Sequence, residues 1–88
     1  MHDRIEIDLP IDLNSMDDTG LPWTFLDEAP HPERVVPGAH IVVGEGTVSV
    51  VAVVVDIVSR PTGEVVHVMP IDGTLAANAH LLTSQPAS

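Results

Sequence analysis

TVSVVAVVVDIV, residues 47 to 58, carries one charge, at Asp56, and breaks the alternation of a strand with one wet face. Three structures accommodate such a run: a membrane anchor, a strand buried on both faces, and a long strand whose inward set changes parity. The anchor fails on length. The longest uninterrupted apolar run, residues 50 to 55, is far below the roughly 18 residues needed to span a bilayer, and Asp56, Ser49 and Ser59 sit badly in lipid. Burial on both faces needs helices on both sides, and too little chain remains to supply them. In the third reading Val48 and Val50 oppose Thr47 and Ser49, whereas further on Val51, Val53, Val55 and Ile57 form the apolar set. A bulge or sharp coil within residues 49 to 53 produces that change, and lets one long strand turn the corner of a small barrel.

The neighbouring sequence supports the barrel. Upstream, Pro37 and Gly38 form a turn, residues 39 to 43 a strand, and Gly44, Glu45 and Gly46 a tight reversal. Downstream, SRPTGE (59–64) reads as a hairpin loop and VVHVMP (65–70) as the returning strand, stopped by Pro70 and the Asp72, Gly73 turn. TLAANAHLL (74–82) is a short helix with Thr74 as N-cap and Leu75, Ala79 and Leu82 on one stripe. The expectation is a mainly β, small coiled antiparallel barrel of five short strands over residues 35 to 72, with one or two helical turns and an acidic N-terminal arm. Residues 1 to 20 form the arm or an edge strand, 21 to 34 a Pro-rich connection, 35 to 82 the barrel with its C-terminal turn, and 83 to 88 a disordered tail.

At 88 residues and without cysteine, the chain has one thin core of Val, Ile, Leu and Ala, with no disulfide and no thiolate metal site. The net charge of −10 is concentrated at the front: residues 1 to 33 hold nine acids against Arg4, and residues 34 to 88 four acids against Arg34 and Arg60. Such a field repels phosphate backbones and attracts basic partners, and it also serves solubility. The lack of Lys and Tyr, with abundant Val, Ala, Pro and Asp, fits the codon bias of a GC-rich prokaryote, and a halophile would give a similar profile. The opening MHDRIEIDLP lacks the basic region and apolar run of a secretory signal, so the expected location is cytoplasmic, with no membrane partner.

RIEIDLPIDLN (4–14) alternates strictly, with Ile5, Ile7, Leu9, Ile11 and Leu13 on one face and Glu6, Asp8, Pro10 and Asp12 on the other. Pro10 has no N–H for a ladder, which confines the segment to an edge. Five apolar side chains on one face must cover something, each contributing up to about 1.5–3 kcal/mol when buried. Two readings stand: the arm closes the chain's own barrel, or it adds to the sheet of a partner or a second copy. In the connection, Pro22 suits a first helical position and Thr24 with Asp27 resembles a capping box. That turn carries the chain's only aromatics, Trp23 and Phe25, either as a lid over the open end of the core or as an exposed docking motif.

Catalytic and metal signatures are weak. No His pair has metal-ligand spacing, and His67, on a strand face with Val65 and Met69, reads as an imidazole at the core margin hydrogen-bonded to backbone. No nucleophile elbow, phosphate loop or calcium loop is present, so no cofactor, metal or catalytic residue is assigned. Asp56 either faces solvent after the parity change, or is half-buried and needs Arg34 or Arg60 to offset its desolvation.

The block PGAHIVVGEGTVSVVAVVVDIVSRPTGEVVHVMPI, residues 37 to 71, resembles an SH3-like small barrel of the KOW type in its Pro-Gly entry, glycine turn, long coiled strand ending in VVDIV, and glycine hairpin. The resemblance implies a module that binds RNA, DNA, peptides or proteins. Two departures narrow that range: with no Tyr and one Trp there is no aromatic groove for Pro-rich peptides, and acid replaces the basic surface that holds nucleic acid. The expected function is therefore a non-catalytic interaction module, binding a protein partner or itself, without direct nucleic-acid binding. Its partner-binding residues are Ile5, Ile7, Leu9, Ile11 and Leu13 of the arm, with Trp23 and Phe25. The alternative is an acidic inhibitor, like an antitoxin, that occupies a basic nucleic-acid-binding protein.

Overall fold

The structure, a computed structural model, describes residues 6–14, 16–45 and 48–82. Ile5, the tail from 83 to 88, and Gly46 of the expected glycine reversal lie outside the described residues. The chain forms β1 (Leu9–Pro10), β2 (Trp23–Phe25), β3 (His40–Glu45), β4 (Val48–Arg60), β5 (Gly63–Pro70) and α1 (Leu75–Asn78), with 3-10 turns at Leu26–Glu28, Pro32–Arg34 and Ala79–Leu81. The five strands make one mixed, nearly closed barrel-like sheet in the order β1-β3-β4-β5-β2. No described helix is long and apolar enough to cross a membrane.

The meander of β3, β4 and β5 is the fold's frame. Along β4 the core-facing residues are Val50, Ala52 and Val54, followed by Ile57, so the inward set does change parity. It changes later than expected. Pairing of β3 with β4 is regular from Glu45↔Val48 to His40↔Val53, whereas the β4–β5 register shifts between Val54 and Asp56. The bulge expected within residues 49 to 53 is thus at Val55, which is exposed. The expected position was wrong because Val51 looked like a core residue. It is inaccessible, but with its cross-strand neighbour Val42 it lies on the opposite face, outside the main core cluster. The Ile71 N–H, donating to the Val51 carbonyl at 2.9 Å, extends the β4–β5 ladder one residue past Pro70, and α1 then packs against β4.

Two strands come from the first third of the chain, so the barrel extends beyond residues 35 to 72. Leu9 and Ile11 are buried in the core, and Leu13 packs against it. The arm therefore closes its own barrel. The pairing of β1 with β3 is parallel, a correction to the antiparallel expectation. The Asp8 N–H donates to the Val42 carbonyl at 2.8 Å and the Ile11 N–H to the Gly44 carbonyl at 2.9 Å. Pro10, lacking an N–H, falls between these donors, as an edge strand allows. Asp8, expected on the wet face, is buried, and its carboxylate accepts the Val42 N–H at 3.0 Å.

Pro22 leads into strand β2 rather than a helix, and the 3-10 turn at Leu26–Glu28 has no side-chain cap, so the Thr24, Asp27 capping box does not form. Thr74 does cap α1, accepting the Ala77 N–H at 3.1 Å. Gly44 is required by geometry. Its φ is +140°, and a Cβ built there would lie 2.1 Å from the Val48 carbonyl oxygen.

Candidate functional site

Side chains alternate across a strand, so the face opposite the core carries Trp23 and Phe25 of β2 and Val65, His67 and Met69 of β5. Registration places Trp23 beside His67 and Phe25 beside Val65. The two aromatic rings meet edge to face, with centroids 5.4 Å apart at 87°. They do not lid the core; they are half-buried on its outer wall. Sequence reasoning assigned Trp23 and Phe25 to a helical turn, whose period gives no reason to turn both outward. A two-residue alternation through Trp23, Thr24 and Phe25 does give that reason.

Beside Trp23, the β4 bulge brings Asp56 opposite His67. The His67 side chain is 4% exposed and lies between two carboxylates: Nδ1 is 2.7 Å from Asp56 Oδ1, and Nε2 is 2.6 Å from Asp17 Oδ2. His67 thus bonds to side chains rather than to backbone as expected, and Asp56, half-exposed, pairs with His67 instead of Arg34 or Arg60. A neutral imidazole has only one N–H, so only the imidazolium donates to both acids. Burial alone would lower the His67 pKa, but hydrogen bonds and charge from Asp17 and Asp56 outweigh it and raise the value above 6.5. Asp17 is held down at about 2, first by the Thr19 hydroxyl, which donates to Oδ1, and then by His67. With both ring nitrogens donating, His67 has no lone pair to take a proton from a substrate. Its chemistry here is that of a clamp, fixing the loop at Asp17 to β4 and β5. Nothing in the sequence pointed to Asp17 as the partner of His67, which is 50 residues away.

The clamp has a pH window. Because the folded pKa of His67 is raised, its contribution is complete below about 6.5 and is lost as pH rises through the folded value. Asp17 has the opposite sign: its contribution is present above about 3.8 and lost as pH falls toward about 2. Melting temperature is expected to plateau between these limits and to fall on the alkaline side through His67. The alkaline slope should disappear in His67→Gln, and a slope unchanged by that substitution would rule out the clamp.

Between the clamp and the β4–β5 hairpin lies a groove of about 250 Å³ floored by Trp23, Phe25 and Val65. Asp17 and Asp18 stand at the clamp end, and Arg60 and Thr62 at the hairpin end. Gly63, at a φ of +136°, lies beside the Phe25 ring, where a Cβ would make only ordinary contact at 3.4 Å. Of the expected partner-binding residues, the structure groups Trp23 with Phe25 here. Leu9 and Ile11 are in the core, Leu13 packs on it, Ile7 is half-buried, and Ile5 lies outside the described residues. Among the described residues no group of three or more His, Asp or Glu side chains is arranged to hold a metal ion. Comparisons with family profiles, curated proteins and solved structures returned no match to this chain.

Proposed function

We propose that this chain is a non-catalytic interaction module that binds a protein partner, or a second copy of itself, through the outer wall at Trp23 and Phe25. The observation carrying this reading is the pair of half-buried aromatics over a groove, because aromatic anchors in a pocket dominate protein interfaces. The arm, the other expected partner surface, has Leu9 and Ile11 in its own core and is not offered as the docking element. An SH3-like, KOW-type use of the barrel as an adaptor accords with this role, on the resemblance of residues 37 to 71.

The test is capture from an extract of the source cell by the tagged 88-residue chain, compared with Trp23→Thr/Phe25→Thr. Threonine keeps strand propensity at both positions. The substituted protein is expected to melt as a folded domain and to lose at least ten-fold of the specifically bound protein. Equal capture by both, or no specific capture by the wild type, would refute the reading.

A further inference from the structure

We infer that the groove recognises a basic side chain, lysine or arginine, of the partner polypeptide, with Asp18 as its counter-charge and Trp23 and Phe25 as its apolar walls. This rests on the reading of the outer wall as the docking surface and gives its occupant a chemistry. The two acids at the clamp end have different roles. Both oxygens of Asp17 are engaged, Oδ1 by the Thr19 N–H and hydroxyl and Oδ2 by His67. Asp18 lines the same groove, is exposed, and has no hydrogen bond or ion pair among the described residues. It is the acid left for a ligand.

The walls suit the same occupant. Trp23 and Phe25 pack edge to face, a contact that covers one face of one ring only, so a long side chain laid over the pair still meets aromatic surface. A cation near an aromatic face is attracted by the ring quadrupole, while the methylene stem of lysine or arginine covers apolar surface such as Val65. The protein's own cation does not fill this place: Arg60, at the hairpin end, has no ion pair or ring contact among the described residues. With Arg60 at one end and two acids at the other, the groove carries opposite charges at its two ends. It orients a basic side chain with its head toward Asp18. A net charge of −10 favours approach of a basic partner over an acidic one.

Trp23 is the only tryptophan, so its fluorescence and indole N–H resonance report on the groove without labels. The probes are blocked pentapeptides, four glycines with a central lysine, arginine, Nε-acetyl-lysine, norleucine or glutamate, titrated into the full 88-residue chain. Saturable shifts are expected with lysine or arginine, at least five-fold weaker with acetyl-lysine and norleucine, and absent with glutamate. D18N is expected to weaken lysine binding at least five-fold, while D27N, which removes an exposed acid outside the groove, leaves it unchanged. No saturable shift, glutamate binding as tightly as lysine, or equal losses in D18N and D27N would each overturn the inference. If the lysine peptide fails while Trp23→Thr/Phe25→Thr still loses the captured protein, the cationic occupant is refuted and the surface assignment stands.

Discussion

Removal of residues 1 to 13 is expected to abolish cooperative unfolding. The deletion takes away β1 together with Leu9 at 0% and Ile11 at 3% exposure, and the Leu13 side chain that packs on the same cluster. Each buried Leu or Ile costs about 2–5 kcal/mol when truncated. A domain of this length has only about 4–13 kcal/mol in total, so the loss reaches or exceeds what is available. The milder Leu9→Ala is expected to lower unfolding free energy by about 3 kcal/mol, near the middle of that range, in urea titration followed by circular dichroism. A truncated chain that melts like the wild type would show that the arm is not part of this barrel.

Gly44→Ala is expected to destabilise by about 3 kcal/mol or more, combining strain at positive φ with displacement of neighbouring backbone. At Gly44 the added carbon would stand 2.1 Å from the Val48 carbonyl oxygen and 2.8 Å from the Ser49 Cα, neither of which is the end of a flexible side chain. Gly38 is the control. Its φ is +89° but nothing lies within 4 Å of an added Cβ, so Gly38→Ala meets only the left-handed penalty of about 1–2 kcal/mol. Equal losses from the two substitutions would mean that the close approach of β3 and β4 at Gly44 is absent.

The fold was legible wherever periodicity and turn residues agreed. Alternation marked Leu9, Ile11 and Leu13 as inward, as they are, and Pro10 marked an edge strand, but alternation missed the burial of Asp8. The failure of alternation in residues 47 to 58 gave the parity change. Its position was not legible, because valine fills both faces of β4 and α1 packs back against that strand, a tertiary contact without local trace. The same holds for the site. His67 could be placed on a strand face from its spacing, but its partners depend on the bulge at Val55, which sets Asp56 opposite it, and on a loop that returns Asp17 from the far end of the chain. Trp23 and Phe25 were recognised as notable and assigned the wrong local structure, since proline before a short mixed run suits a helix start as well as an edge strand.

Site-specific photo-crosslinking tests most directly whether the outer wall, and not the arm, meets the partner. A benzoylphenylalanine is placed at Phe25 in one protein and at Pro10, the exposed residue of β1, in another, and each is irradiated in extract of the source cell. A discrete crosslinked product from position 25 and none from position 10 is the expected result. A product from position 10 with none from position 25 would contradict the assignment of the Trp23 and Phe25 face as the working surface.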